Sequence, residues 1–389
     1  MCPDQNPSQP RKEILIVAGE ASGDLHGSNL VRAMHDIAPA LSFSGIGGKR
    51  MKKAGVALIA DSSEMAVVGL TEVASRLPYI LSVRRRIKAR ISQSPPALVI
   101  LIDYPDFNIP LAKFAHGRGV PVLYYISPQV WAWRKGRIHT LARCVDRMAV
   151  ILPFEQEIYQ EKTALDVRFT GHPLLDAITR RYGRDEMRGR LGCDPECPLV
   201  TMLPGSREEE VERLLPEMLK AGEILQQQIP GIRFILPLAD TLSEEFLSRI
   251  VRRSTVNATI ITKDVYDAIG SSDAAIVTSG TATLETALLE VPMIIVYKVS
   301  LFTYVMGRLF IDIDHIGLAN IVAGKTVVPE LIQGNATGER MAREIYRILT
   351  DSRERIRIQE ELRTIREKLG GPGASRRTAE LAWEMIKQD

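Results

Sequence analysis

Short apolar runs that stop at a glycine or a polar cluster, each followed by a helical stretch, recur along this chain. EILIVAG (13–19), LSFSGIGG (41–48), ALVILIDYPDFN (97–108), VPVLYY (120–125), MAVILPF (148–154) and VRFTGHP (167–173) form one series. LVTMLPGS (199–206), IRFILPLA (232–239), ATIITKD (258–264), AAIV (274–277) and MIIVY (293–297) form a second. A strand that is apolar on both faces must be covered on both, which is the situation of a parallel sheet between helical layers. The spacing predicts an α/β chain of two doubly wound parallel-sheet domains with a cleft between them.

The length of 389 residues suits about two domains. Polar, charge-rich sequence from Arg180 to Pro198 places the linker near 174–198. Residues 1–12, rich in Pro and Gln, read as a disordered tail. The first domain is expected at 13–175 and the second at 176–372. GGPGAS (370–375) breaks the charged C-terminal helix, so that 373–389 can cross back to the first domain. A net charge of +3 is too small to imply a nucleic-acid surface. The four cysteines form no disulfide framework or zinc set. No apolar run approaches the ~18–20 residues of a membrane span, so a cytoplasmic protein, or one lying on a membrane, is expected.

Polar residues at the carboxyl end of a buried parallel strand stand where open α/β sheets bind ligands. In the first half these are Asp103, Asp106 and Asn108, with Pro105 expected to delay any helix. A carboxylate beside an apolar sheet tends to a raised pKa, which suits a general base. The loop GEASGDLHG carries Glu20, Ser22, Asp24 and His26. Its glycines at 19, 23 and 27 are spaced for a tight turn, with a helix from about Ser28 to Ile37. The acids would repel a pyrophosphate there; a hydroxyl-rich ligand or amine fits, and helix capping by Ser22 and Asp24 is the plainer alternative. Residues 65–93 read as two helices separated around Pro78. Arg84, Arg85 and Arg86 flank an apolar face, either a crossover helix packed on the sheet or, with the apolar 65–81 stretch, a membrane-contacting surface. The loop SPQVWAWRKGR holds Gln129 and Trp131. Its mixture of aromatic and basic groups could stack bases or grip a phosphorylated amphiphile.

In the second half, LPGSR brings Gly205, Ser206 and Arg207 to a helix start, where an Arg can fork onto a diphosphate. VTSGTATLE brings Ser279, Gly280 and Thr281 to another helix start, whose free N–H groups suit a phosphate. Glu285 lies a turn further in, where a carboxylate can take a ribose diol. Asn320 is a candidate cleft residue. Asp312 and Asp314 form a D-x-D pair that is weak as a metal site.

VAGEASGD, GIGG, LIDYPDFN, YYISPQVWAWR, GHPLLD, LPGSR, TSGTATLE and HIGLAN, in this order, resemble the bacterial lipid-A-disaccharide synthase family from about Ile14 to the final helix. The resemblance implies a GT-B glycosyltransferase with two Rossmann-like domains. It implies UDP-2,3-diacylglucosamine as donor, 2,3-diacylglucosamine 1-phosphate (lipid X) as acceptor, and the β-1,6 disaccharide 1-phosphate and UDP as products. The donor nucleotide would bind at Gly205, Ser206, Arg207, Ser279, Gly280, Thr281, Glu285 and Asn320. Asp103 matches the family's strand-end acid, the expected base, and Glu20 its first-loop glutamate. Single displacement with inversion is expected, without metal or cofactor. Acylated substrates imply an enzyme peripheral on the cytoplasmic face of the inner membrane, with Val67, Val68, Leu70, Leu77 and the three arginines as contacts. A homodimer is compatible with this. Competing readings are another GT-B UDP-sugar enzyme, such as an epimerase or a peptidoglycan glycosyltransferase, and a nucleotide-sugar-binding membrane adaptor.

Overall fold

A computed structural model describes residues 12–65, 70–131, 136–299 and 314–387, with the backbone alone at Ala21 and 70–75. The chain forms two compact units, residues 1–176 with 370–389, and residues 177–369.

In the first unit the order is β1 (Glu13–Ala18), α1 (Ala21–Ile37), β2 (Ser42–Gly47), α2 (Lys49–Lys53), β3 (Val56–Asp61) and α3 (Leu70–Gln93). There follow β4 (Leu98–Ile102), α4 (Pro105–His116), β5 (Val122–Tyr125), α5 (Arg137–Ala142), β6 (Arg147–Val150), α6 (Pro153–Gln160), β7 (Asp166–Phe169) and the short α7 (Leu174–Ala177). The strands pair in parallel in the order β3-β2-β1-β4-β5-β6-β7. One face is covered by α1 and the last helix, Ala374–Lys387, through Leu30, Val31, Met34, Ala379, Ala382 and Ile386. The other is covered by α3, α4 and α6 through Val83, Ile87, Ile91, Leu111 and Tyr159. The last helix is fastened at its start by Asp176, whose carboxylate accepts the N–H groups of Gly373 and Ser375.

The second unit runs α8 (Arg184–Arg190), β8 (Leu199–Leu203), α9 (Glu208–Gln228), β9 (Arg233–Pro237), α10 (Glu244–Val251), β10 (Ala258–Ile261), α11 (Val265–Gly270), β11 (Ala274–Thr278), α12 (Thr281–Leu288), β12 (Met293–Tyr297) and β13 (Glu330–Ile332). Its sheet is also parallel, in the order β10-β9-β8-β11-β12-β13. The helices Gly338–Thr350 and Ser352–Lys368 pack on α9 and α12.

Four local expectations are corrected. The glycine loop is not a turn through residue 27: α1 begins at Ala21, and Gly23 and Gly27 lie inside it. They are packing glycines, since a Cβ at 27 would lie 2.7 Å from Met51 Sδ and one at 23 would lie 3.2 Å from Ala18 Cβ. Residues 70–93 form one helix with Pro78 inside; a proline removes a single N–H, and the rest of a long packed helix carries the chain through. Pro105 starts α4 instead of delaying it, because proline at the first helical position loses only an N–H that has no intrahelical partner. Finally, β3 and β13 join the sheets as edge strands, too short or too irregular in burial to stand out as apolar runs.

Candidate active site

Both sheets change winding direction once, and the sequence motifs lie at those points. β1 pairs with β2 on one side and β4 on the other. The loops leaving β1 and β4 therefore diverge, and they carry Glu20 and Asp103 one or two residues beyond the paired Ala18 and Ile102. β8 likewise pairs with β9 and β11, so Gly205–Arg207 and Ser279–Thr281 leave adjacent strand ends. Such switch points are where open α/β sheets form ligand crevices.

Asp103 and Tyr104 both have left-handed backbones, with φ of 45° and 46°. Neither is glycine, so the pair stores roughly 1–3 kcal/mol per residue of backbone strain. The surroundings hold it. Asp103 N–H donates to the Tyr125 carbonyl at 3.1 Å. Its own carbonyl accepts Tyr124 Oη at 2.6 Å and Asn108 Nδ2 at 2.7 Å. Asn108 is fully buried and also reaches the Ile102 carbonyl, so its role here is to shape the loop. Asp103 is half-buried and lies within the electrostatic reach of Glu20. Burial first, then the negative charge of Glu20, pushes it up to about 6, against the Tyr104 N–H that favours its ionised form. A base of that strength is mostly ionised at neutral pH yet basic enough to accept a proton in a transition state.

The other first-unit candidates separate. Glu20 is exposed at the N-cap of α1, and Ser22 is exposed at the second position of the helix. Gln129 is exposed. Asp106 is exposed and paired with Arg137 at the start of α5. Asp24 is corrected from a ligand candidate to a structural one. Its buried carboxylate accepts the N–H groups of Gly48 (2.6 Å), Met51 (2.9 Å) and Arg50 (3.0 Å), capping α2. His26 is buried, and burial lowers it to about 4 despite the charge of Asp176. Its neighbour His172 is lowered to about 3 by burial and by His26. The charge that acts on Asp103 is that of Glu20.

In the second unit Gly205 (φ 120°) lets the chain pass against Glu210, whose Oε2 would lie 2.7 Å from a Cβ there. Ser206 is exposed, and Arg207 at the N-cap of α9 is largely exposed, 3.6 Å from Glu210. Gly280 caps α12 with φ 155° and has open space where a side chain would be. Thr281 is exposed, whereas the Ser279 hydroxyl donates to the Ile316 carbonyl at 2.8 Å. Glu285 is half-buried and accepts Tyr266 Oη at 3.2 Å; burial raises its pKa. Asn320 is corrected. It is fully buried, its amide donates to Val328 O and Glu330 Oε1, and its oxygen accepts the N–H groups of Val327 and Val328. Every hydrogen-bonding position is occupied inside the unit, so it braces the loop that Ser279 touches.

Residues that the motifs did not single out complete both edges. Tyr104, Tyr124, Glu155, Tyr266 and Glu330 each hold a candidate residue or its loop. Only Glu155 left a sequence signal, as the acidic third residue of the helix that Pro153 opens. Val67, Val68 and Asp312 lie outside the described residues, as does the Leu70 side chain. Leu77 is 46% exposed. Arg85 is exposed, Arg84 is half-buried and Arg86 donates to Ile59 O at 2.6 Å. No helix among the described residues is long and apolar enough to cross a membrane.

Two parallel sheets with ligand-type loops at each switch point define the GT-B class of glycosyltransferases and sugar-nucleotide epimerases. The fold is shared with the calicheamicin glycosyltransferase CalG4 (TM-score 0.64, 13% identity, 98% and 99% of the two chains covered). It is shared also with the UDP-GlcNAc 2-epimerase of Neisseria meningitidis (TM-score 0.63, 11% identity, 97% and 100% covered). The model of the lipid-A-disaccharide synthetase family matches residues 14–385. Lipid-A-disaccharide synthases of Syntrophus aciditrophicus and Geobacter metallireducens are 55% and 50% identical, each over 97% of this chain and 98% of the relative. The chain belongs to the lipid-A-disaccharide synthase family.

Proposed function

We propose that the chain transfers 2,3-diacylglucosamine from UDP-2,3-diacylglucosamine to the 6-hydroxyl of 2,3-diacylglucosamine 1-phosphate by a single inverting displacement. Family membership supports the substrates and the glycosyl transfer. The strained, half-buried Asp103 at the β1/β4 switch point is the observation that carries the mechanism.

Asp103 takes the proton of the acceptor 6-hydroxyl as its oxygen attacks C1 of the donor sugar. The bond from C1 to the diphosphate breaks, and its electron pair leaves with UDP. The α-linked donor becomes a β-linked product without a covalent enzyme intermediate. Arg207 and the N–H groups at the starts of α9 and α12 face the growing charge on the diphosphate, in place of a metal ion. Glu285, steadied by Tyr266, holds the ribose diol. The first unit takes the acceptor, and the exposed Leu77 with the arginines of α3 rests on an anionic membrane surface.

Incubating the protein with the UDP-diacyl donor and lipid X tests the reading. Disaccharide 1-phosphate and UDP should accumulate, with turnover unchanged by EDTA. Absence of disaccharide, or release of a 2-epimerised sugar, would reject it in favour of the epimerases that share the fold.

A further inference from the structure

The loop leaving β5 is fastened to α6 by two contacts. Trp131 Nε1 donates to Glu155 Oε1 at 3.2 Å, and the Trp131 ring meets Phe154 edge-on at 5.2 Å. Glu155, 2% exposed, also accepts Leu152 N–H at 3.2 Å through Oε2. Burial pushes this acid up to about 8, and the charge of Asp103 contributes in the same direction, so the two carboxyls are within electrostatic reach. β5 lies beside β4, with Tyr125 paired to Ile102. The loops carrying Trp131 and Asp103 therefore leave neighbouring strand ends. Trp131 is half-buried: its N–H is held by Glu155 and its ring by Phe154, and the part that stays accessible belongs to a loop leaving the strand next to the one that carries Asp103.

A buried glutamate is a costly anchor for a tryptophan that has only packing to do. Burying a carboxyl is unfavourable, and Phe154 would hold a phenyl ring as well. What the Glu155 contact adds is a fixed ring plane. A fixed indole beside a base suits the apolar C–H face of a pyranose, which stacks on an aromatic surface. We propose that Trp131 is the platform on which the acceptor sugar lies, and that Glu155 is the residue that positions it. This rests on the acceptor-side reading of the first unit given above.

Steady-state kinetics with both substrates varied, and lipid X titrated against tryptophan fluorescence, test it. Trp131→Ala should raise the KM for lipid X about tenfold and leave the KM for the UDP donor unchanged. Glu155→Leu should do the same in smaller degree, Glu155→Gln should restore most of it by returning an oxygen to the indole, and the double variant should be no worse than Trp131→Ala. In a background where Trp133 and Trp383 are both replaced by Phe, so that Trp131 is the sole fluorophore of its kind, lipid X should change the fluorescence, and adding Trp131→Phe, a conservative variant that keeps a ring, should abolish that change. Equal changes in both KM values, a wild-type acceptor KM in Trp131→Ala, or no fluorescence response to lipid X when Trp131 is the sole tryptophan would overturn the proposal. Failure of the wild-type protein to make disaccharide would instead reject the parent reading.

Discussion

Gly19 and Tyr104 are fitted to one another: a Cβ at position 19 would lie 2.3 Å from the Tyr104 ring. The ring occupies the place of the missing side chain, and Tyr104 forms half of the strained pair that presents Asp103. Gly19→Ala should therefore act on catalysis through a displaced Tyr104. We expect kcat to fall about 100-fold, as small misplacements of reacting groups can cause. The melting temperature should drop only by the equivalent of about 1–3 kcal/mol of overpacking. Steady-state rates and thermal melts of the one variant separate the two effects.

Asp103→Asn should lower kcat by about 10²–10⁴-fold while UDP affinity is retained, since only the proton acceptor is lost. The pH profile carries a sharper test. In the wild type, kcat/KM should fall on the acid side with an apparent pKa near 6, as Asp103 takes up a proton. Glu20→Gln removes a charge that raises that value. The acid limb should then move to lower pH. A limb that moves up, or does not move, would separate Glu20 from Asp103.

The buried His26–His172 pair should make the first unit acid-sensitive. Both folded-state values, about 4 and about 3, lie below the ordinary value near 6.5. Between pH 6.5 and about 4 the unfolded chain binds protons that the folded chain refuses, so stability falls as pH falls. Thermal melts across this range should show that slope. His26→Gln should flatten it, because one titrating group is gone and with it the repulsion that lowers His172.

Asn320 and Arg207 should respond in opposite ways. Asn320→Ala strands buried N–H and carbonyl groups near Glu330, for a loss on the order of 2–4 kcal/mol. Its melting temperature should fall before any effect on nucleotide binding is seen. Arg207→Ala, at an exposed helix start, should leave the melting temperature within about 1 °C, as surface changes usually do. It should weaken UDP binding about tenfold or more, by loss of a charged hydrogen bond. Calorimetric titration of UDP and thermal melts on both variants check this.

Much of the fold was legible because its strands are buried on both faces and so stand out as unbroken apolar runs. β4 and β11 are examples, each buried along its whole length. β3 and β13 were not legible. The first is an edge strand with mixed burial, and the second has three residues, so neither needs an apolar run. The start of α1 is not legible, because glycines mark turns as well as close packing. Gly27 instead makes room for Met51, a neighbour that no local pattern shows.

By itself the sequence determined that the chain alternates strand and helix in two series, and that polar groups gather where strands end. The reason is local: burial on two faces dictates side-chain type along a strand. Which of those polar groups is available to a ligand was decided only by tertiary structure. Asp24 is occupied by the start of α2, Asn320 by residues 327–330, and Asp103 is shaped by Tyr124 and Asn108 while its carboxyl stays within reach of Glu20. A side chain's hydrogen bonds are settled by the partners that the fold brings to it, as the N–H groups of Gly48 and Met51, 24 and 27 residues away, are brought to Asp24.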